Sequence, residues 1–323
     1  MDGQFPFLAT GLHDITADVY HADQLRPEPT LSSTLARLIL NRSPLHAWTA
    51  HPRLNPAWEP TERKTFDIGR AAHRAVLGKG GDYVAYPDSI LASNGAASTK
   101  EAKAWAEDVR AKGGTPLKAD EVDAIGVMAA RCHERLALMG IKLDPSRSEL
   151  TALAEIDGVW CRAMIDNAPA DPRMPLIDFK TTEDASPEAC RRSVEGYGYD
   201  LQMAHYLAVW EAATGEKRDF LFVFQEKAAP FEVGIVRLLA KPGHSEDWLE
   251  DATEKAAAAR QTWGQCLKSN IWPGYPAAII EVGANPYFRQ RWQDNQSRAS
   301  VAKSFTQSTI DRASAWQRPE ASA

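Results

Sequence analysis

The sequence predicts an α/β protein in which a helical amino-terminal part precedes a strand-rich core. Up to about residue 139, apolar residues recur at three- and four-residue steps, most clearly over 118–139, which is typical of amphipathic helices. From residue 149 the pattern changes to short runs of apolar and β-branched residues, and Asp157-Gly158 between the first two runs indicates a tight hairpin turn. Helical and strand-like segments then alternate to about residue 269.

Cap residues and apolar spacing set the predicted bounds of the elements. Ser32 or Ser33 is expected to cap a helix that ends before Pro44, and Ser98 or Thr99 to cap another. The remaining helices are predicted over 67–77, 118–139, 187–213, with a loosened stretch at 196–198, and 246–269. The strands are predicted over 149–153, 159–166, 175–180, 220–224 and 231–236.

The composition is that of an ordinary globular protein. A chain of 323 residues with 44% hydrophobic content can bury a full core. Neither a signal peptide nor a run of about 18 apolar residues occurs, so we expect a cytoplasmic protein without a membrane span. A net charge of -6 argues against a protein that coats nucleic acid nonspecifically, but it is compatible with a local basic channel.

The four cysteines do not form a metal-binding pattern. Their spacing contains no Cys-x-x-Cys pair of the kind that holds zinc or an iron-sulfur cluster. We therefore expect free, mainly buried thiols and no iron-sulfur cluster. These cysteines are Cys132, Cys161, Cys190 and Cys266.

Two aspartates and a lysine outline a site for phosphodiester hydrolysis. Asp166 and Asp178 end neighbouring predicted strands, where their carboxylates can share a hard cation such as Mg2+, for which Mn2+ can substitute. The backbone carbonyl of Phe179 could add a third oxygen. Lys180, two residues beyond Asp178, points to the same face and can orient a metal-activated water. Taken alone, Asp-x-Lys is more often a solvated strand edge, so the neighbouring residues decide.

Two predicted helices carry further polar candidates. His73 follows the small residues Gly69 and Ala72, which allow close packing, so its imidazole is a candidate metal ligand or, alternatively, a satisfied core histidine. Gln202 and Tyr206 are four residues apart and share one helix face, where they could brace a lysine or a phosphate. The alternative is an ordinary amphipathic helix.

The order and approximate spacing of these residues resemble the PD-(D/E)xK nuclease superfamily, and within it the exonuclease VIII (RecE-like) branch of phage-type exodeoxyribonucleases. The resemblance spans residues 20–290. The motif residues that carry it are His73, Glu149, Asp166, Asp178-x-Lys180 and Gln202-x-x-x-Tyr206. Further segments similar to that branch are Tyr20–Asp23, 31–47, Pro52–Pro56 and Cys161–Ala163.

The resemblance implies a restriction-endonuclease-like core, with a mixed central sheet flanked by helices and a helical amino-terminal elaboration. The chain would then comprise an irregular segment, a nuclease domain with a helical part and a catalytic core, and a flexible tail. The bounds of these parts are 1–30 for the segment, 31–292 for the domain, 31–145 and 146–292 for its two parts, and 293–323 for the tail.

The resemblance also assigns roles. His73, Asp166 and Asp178 would bind metal, Lys180 would be the catalytic lysine, and Glu149 would be an acidic partner of the metal. Gln202 and Tyr206 would support the site from their helix. Glu155 is the alternative to Glu149, because an even spacing places both on one strand face. The branch usually has Arg-Pro before the first aspartate, where this chain has Met164-Ile165.

The activity implied is Mg2+-dependent hydrolysis of linear double-stranded DNA from its 5' end, which leaves 3' single strands for recombination. The implied partners are DNA ends, a single-strand-annealing protein and further copies of the chain in a ring. A structure-selective or single-strand endonuclease, and a catalytically silent DNA-end-binding scaffold, remain alternatives. Candidate phosphate contacts, each of which is otherwise a solvated surface charge, are Arg191, Arg192, Arg74, Lys100 and Lys103.

Overall fold

The computed structural model of the protein describes residues 7–59, 67–241, 243 and 247–303, with side chains described up to residue 298. The chain forms two compact units, Met1–Tyr275 and Pro276–Ala323. The first unit contains the strands that the structure describes. These are β1 (Gly11–His13), β2 (Tyr83–Ala85), β3 (Thr115–Leu117), β4 (Ser148–Ile156), β5 (Val159–Asn167), β6 (Leu176–Thr182), β7 (Phe220–Glu226) and β8 (Val233–Val236).

Six of these strands form a mixed sheet in the order β1-β4-β5-β6-β7-β8. Neighbouring strands are antiparallel except β6 and β7, which are parallel and are joined through helices. The turn between β4 and β5 lies at Asp157 and Gly158, both with positive φ, as the sequence predicts. A separate parallel pair joins β2 to β3.

The described helices begin and end close to the predicted positions in most cases. Ser32 accepts a hydrogen bond from the Leu35 N–H, and Thr99 accepts one from the Ala102 N–H, so both predicted caps are present. The helices are α1 (Ala17–His21), α2 (Ser33–Asn41), α3 (Pro44–Ala50), α4 (Asp67–Leu77), α5 (Lys100–Ala111), α6 (Ala119–Leu138), α7 (Pro187–Tyr197), α8 (Tyr199–Thr214), α9 (Leu249–Ser269) and α10 (Pro286–Lys303).

Helices cover both faces of the sheet. Successive strand residues point to opposite sides, and apolar residues on each side pack against helices. Leu176 and Phe222 belong to a core shared with α2, α8 and α9, whereas Ile177 and Phe179 belong to a second core shared with α4 and α6. This alternation places Asp178 on the face that α8 covers. The predicted α/β fold, with a mixed central sheet flanked by helices and a helical amino-terminal elaboration, is confirmed.

One predicted helix is two helices. Gly198 adopts a left-handed conformation, with φ of 66°, between α7 and α8, where the sequence predicts only a loosened stretch in one long helix. Glycine takes this conformation without the steric cost of a Cβ atom, so the chain can change direction there. As a result, Tyr197 and Tyr199 lie at the adjoining ends of two differently oriented helices.

Several short elements were absent from the sequence prediction, among them β1, α1, α3 and the parallel pair of β2 and β3. The segment predicted to be irregular, 1–30, contains β1 and α1; β1 depends on pairing with β4, which local sequence does not encode. Pro44, interpreted as the end of one helix, is also the first residue of α3, and Ser43 caps it. The last strand begins at Val233 and not at Phe231, whose φ is 59°.

The described residues end in the helix α10. The predicted flexible tail, 293–323, begins inside α10, and its remainder from 304 lies outside the described residues, as does the predicted helix start at Glu246. The flexibility of the tail stays a prediction. Within the described part of the chain, no helix combines the length and the apolar character that a bilayer crossing requires.

A buried ion network attaches the amino-terminal segment to β5. Asp23 is fully buried, and its Oδ1 accepts hydrogen bonds from Arg162 Nη1 and Thr30 Oγ1, both at 2.5 Å. His51 Nε2 lies 3.0 Å from Asp23 Oδ2. The backbone of Leu31 pairs with β5, since the Arg162 N–H donates to the Leu31 carbonyl at 2.9 Å. The network therefore fixes the strand that carries Asp166.

Replacing Asp23 by alanine should strongly destabilise the protein. The change leaves the Arg162 guanidinium buried without its carboxylate, and breaking such a pair costs about 3–5 kcal/mol. Urea denaturation followed by circular dichroism measures the free energy of unfolding. The matched control is Asp14→Ala, which removes an exposed partner of Lys79 and should cost about 1 kcal/mol or less. Equal losses in the two variants would contradict this account.

Candidate active site

The site lies where β5 and β6 separate. The two strands pair at Asn167 and Ile177, and beyond that point the Phe179 N–H donates to Asp166 Oδ2 at 2.7 Å. A carboxylate thus replaces a backbone carbonyl as the partner of β6. This substitution holds Asp166 beside the segment that carries Asp178.

Glu149 lies opposite Asp166 on the neighbouring strand. The pairs Ser148–Asn167 and Leu150–Ile165 flank this position in the β4–β5 register. Glu149 has φ of 49°, a left-handed conformation that costs a non-glycine residue about 1–3 kcal/mol. Two carboxylates that face each other across strands also repel. Both unfavourable features occur at one point, beside His73.

His73 bridges these two carboxylates from α4. Its Nδ1 lies 3.4 Å from Glu149 Oε1, and its Nε2 lies 3.3 Å from Asp166 Oδ1. Burial lowers the pKa of His73, but the neighbouring carboxylates, Asp166 first, raise it by more, so the net shift is upward. The small residue Gly69 allows α4 to approach β6, since a Cβ atom there would lie 3.2 Å from Thr181 Oγ1.

Asp178, which is buried, and Lys180, which is partly exposed, form an ion pair on the opposite face of β6 from Phe179. Lys180 Nζ contacts Asp178 Oδ1, and Gln202 Nε2 donates to Asp178 Oδ2 at 2.6 Å. Asp178 is only 1% exposed, and burial raises its pKa to about 6; repulsion from Asp166 adds to this shift, while Lys180 opposes it. The attraction of the two aspartates outweighs burial at Lys180 and raises the pKa of its ammonium.

The helix α8 contributes side chains that contact both members of this ion pair. Tyr206 is buried and lines the same cleft as Gln202, and it is Gln202 that contacts the Asp178 carboxylate directly. Tyr199, at the start of α8, places its ring under the ammonium of Lys180, 5.0 Å from Nζ to the ring centroid. Sequence patterns did not single out Tyr199, because its role depends on the turn at Gly198.

The donor set fits a hard divalent cation. Three carboxylates, those of Glu149, Asp166 and Asp178, lie against the side chains of His73 and Lys180, and Mg2+ prefers oxygen ligands of this kind. Among the described residues, no three His, Cys, Asp or Glu side chains already form a metal-binding group. The imidazole and the ammonium instead lie against the carboxylates. Metal binding by these residues and by the Phe179 carbonyl stays a prediction.

Three clefts of about 840, 800 and 300 Å3 meet at Lys180, which lines all of them. The second cleft is also lined by His73 and Glu149. Clefts of this size that converge on buried ionisable groups are typical of a binding site. Lys180 and Tyr199 line all three clefts, and the second cleft reaches the acidic cluster directly at Glu149.

Of the predicted phosphate contacts, Arg192 lines one of these three clefts and the others do not. Arg192 lines the cleft of about 840 Å3, is 58% exposed and contacts Glu188, whereas the neighbouring Arg191 is paired with Glu188 and Glu195. Arg74 is held by Asp82 and does not line the three clefts. Lys100 and Lys103 lie on α5.

Two arginines that the sequence analysis missed line the cleft beside His73. Arg70 and Arg110 contact the two oxygens of Asp67, each at 2.6 Å. Helical spacing could have indicated Arg70, which lies one turn before His73 in α4. No local signal identifies Arg110, because it reaches the cleft from α5.

Most of the predicted site residues lie together in the structure, and the alternative Glu155 lies apart from them. The structure brings together His73, Glu149, Asp166, Asp178, Lys180, Gln202 and Tyr206. Glu155, the alternative to Glu149, is exposed and pairs with Trp160 near the hairpin turn at the other end of β4. Ile165, where the resembling branch has proline, is fully buried in the core.

Sequence comparison identifies a family for most of the chain. Residues 40–282, more than half of the sequence, match a family described as a PDDEXK-like domain of unknown function. A search of curated proteins gives no match. The match covers every residue of the acidic cluster and of its supporting helices α4 and α8.

A solved structure has a similar fold. It is the crystal structure of a protein described as a "putative exonuclease" from Eubacterium rectale, and it superposes with a TM-score of 0.54 at 12% sequence identity. The similarity covers 84% of this chain and 97% of that chain. At this identity the comparison supports the fold, and the chemistry has to be argued from the residues of this chain.

Divalent metal should stabilise the folded protein through the acidic cluster. An ion that binds only the folded state adds about 2.7 kcal/mol when its free concentration is 100 times its dissociation constant. We expect Mg2+ and Mn2+ to raise the melting temperature of the wild type, measured by calorimetry, and the rise to be lost in Asp166→Asn.

The matched control for this measurement is Asp219→Asn, which alters an exposed aspartate paired with Arg237. This variant should keep the full metal-dependent rise. A rise of equal size in Asp166→Asn and in the wild type would show that the ion binds elsewhere.

Proposed function

The chain belongs to the PDDEXK-like domain family, and we propose that it is a metal-dependent deoxyribonuclease. The observation that carries the proposal is the convergence of Asp166 and Asp178 on Lys180, the member of the cluster that lines all three clefts. Two carboxylates and a partly exposed ammonium that lines open clefts are the residue types that phosphodiester hydrolysis requires. Iron-sulfur chemistry is not part of the proposal.

Each side chain has a separable task in this proposal. Asp166, Asp178 and Glu149 would hold the cation, which when bound supplies an activated water and offsets negative charge on the phosphate. The ammonium of Lys180, which is 22% exposed, would donate to the attacked phosphate or to the attacking water. Gln202 fixes the orientation of the Asp178 carboxylate by its hydrogen bond at 2.6 Å.

His73 would exchange its contacts when the metal binds. In the structure its ring lies between Glu149 and Asp166, where it offsets their repulsion. A neutral imidazole can itself bind a divalent ion, and Mn2+ accepts nitrogen more readily than Mg2+ does. We therefore propose that His73 offsets the carboxylate charge in the metal-free protein and binds metal in the loaded protein.

We further propose that the substrate is the end of linear double-stranded DNA, cut from 5' to 3' to leave a 3' strand for recombination. The support is the sequence resemblance to the exonuclease VIII branch, together with the helical wall that α4 and α5 build beside the acidic cluster. Arg70, Arg110 and Arg192 line the clefts and supply positive charge for phosphates despite the net negative chain.

The proposed setting of the reaction follows from the same resemblance. A single-strand-annealing protein would receive the 3' strand, and several copies of the chain in a ring would retain the DNA. Mg2+ would be the physiological metal and the cytoplasm the compartment. These four points stay predictions.

Replacing Lys180, Asp166 or Asp178 by alanine should reduce hydrolysis by about 100- to 1000-fold, because each change removes one preorganised electrostatic contact. Release of nucleotides from labelled linear duplex DNA measures the rate, and circular dichroism checks folding. Lys217→Ala, at a lysine whose side chain is 84% exposed and paired with Glu211, is the matched control and should keep wild-type activity. Near-normal activity of a folded Asp178→Ala variant would disprove the site assignment.

The requirement for a DNA end is tested with labelled duplexes. A 5' label should be released early as mononucleotides while a 3' label persists, and covalently closed circles should survive. Binding should weaken with salt, with log affinity falling at about 0.9 per neutralised phosphate against log salt. Cutting of closed circles would favour the endonuclease alternative, and DNA binding without hydrolysis would favour the silent scaffold.

A further inference from the structure

The turn between α7 and α8 presents two tyrosines on either side of Gly198. Its left-handed conformation, with φ of 66°, directs Tyr197 and Tyr199 to adjoining positions. Arg37 from α2 donates a hydrogen bond from Nη1 to the Tyr197 carbonyl at 2.8 Å. A Cβ atom at Gly198 would lie only 3.2 Å from the Arg37 side chain, so the turn is closely packed. The backbone that carries Tyr197 is thus held by an element outside its own helix.

A column of aromatic rings leads from the core to this turn. The ring of Phe222, which is fully buried, lies 5.6 Å from the ring of Tyr199, with the two planes 26° apart. The next ring, that of Tyr197, lies 5.5 Å from Tyr199 at an angle of 30°. These are stacked or nearly stacked arrangements. The column ends at Tyr197, which is 57% exposed.

The exposed end of the column lies close to the candidate catalytic lysine. Tyr197 lines both the cleft of about 840 Å3 and the cleft of about 300 Å3, and Lys180 lines the same two clefts. The ammonium of Lys180 contacts the face of Tyr199, one ring inward from Tyr197. A phosphate bound at Lys180 would therefore have its nucleoside within reach of the Tyr197 ring.

We propose that Tyr197 stacks on a base of the DNA strand, next to the phosphate that Lys180 contacts. This inference rests on the proposed nuclease function and deepens it. Every base has a π-face, so stacking holds the strand in register without reading its sequence, as hydrolysis along an arbitrary strand requires. Tyr197 is a positioning residue, because it does not touch the reacting atoms. The inner rings of Tyr199 and Phe222 pack against one another and back the ring of Tyr197.

The test measures binding of DNA that carries the fluorescent base 2-aminopurine near one end, with phosphorothioate linkages to slow hydrolysis. The wild type, Tyr197→Ala and Tyr197→Phe are compared as full-length proteins. Stacking should quench the fluorescence in the wild type and in Tyr197→Phe. In Tyr197→Ala the quenching should disappear and the affinity should fall by about 5- to 150-fold.

An abasic nucleotide separates base stacking from contacts to the backbone. Moved along the strand, it should weaken binding by the wild type at one position near the quenched base. The same abasic site should cost Tyr197→Ala little, because the lost base and the lost ring belong to one contact. Tyr275→Ala is the matched control, since Tyr275 is 62% exposed and lines neither cleft. This variant should bind like the wild type.

The outcomes distinguish this inference from the proposed function. If the wild type cleaves DNA but Tyr197→Ala keeps its affinity, or keeps the full abasic penalty, base stacking by Tyr197 is refuted and the nuclease proposal stands. If the wild type neither binds nor cleaves DNA, both are refuted. Thermal unfolding of each variant checks that the turn has not lost its structure.

Discussion

The arrangement of the site depends on a buried excess of negative charge. Glu149, Asp166 and Asp178 converge where β5 and β6 separate, and the pKa of Asp178, raised to about 6 mainly by burial, reflects the cost of ionising it there. In the structure His73 and Lys180 offset this charge. An acidic cluster that contributed only to stability would be a poor solution, since apolar residues of similar size would avoid the desolvation cost. The cluster is therefore in keeping with the cation that the proposed function assigns to it.

A second charged network holds the strand that carries this cluster. Arg162 ties Asp23 to β5, and the Arg162 carbonyl accepts a hydrogen bond from His205 Nε2 at 3.1 Å on α8. Arg162 of β5 thus connects the amino-terminal segment with α8, the helix that also carries Gln202. The segments Tyr20–Asp23, Pro52–Pro56 and Cys161–Ala163, noted for their resemblance to a nuclease branch, meet in this network, where Arg53 also contacts Asp23.

The clefts around Lys180 differ in the kind of side chain that lines them. On one side α4 and α5 present arginines beside His73; on the other, the α7–α8 turn presents aromatic rings. Phosphates and bases require these two kinds of surface, the first for charge and the second for stacking. Local charge matters more here than the net charge of -6, because a focused field around a cleft acts on a ligand at short range.

The sequence by itself determined the α/β class, most helix and strand positions, and the pairing of Asp178 with Lys180 on one strand face, because these follow from local periodicity. From the sequence, the spacing to Asp166 was the only ground for preferring Glu149 to Glu155. Tyr199 and Arg110 were not identified as site residues. Only the tertiary structure decided these points: the register of β4 against β5 sets Glu149 opposite Asp166, and the left-handed Gly198 directs Tyr199 under Lys180. It also separated Arg192, which lines a cleft, from Arg74, which Asp82 holds. Contacts between residues far apart in the chain depend on strand register and on packing angles, and local sequence does not encode either quantity.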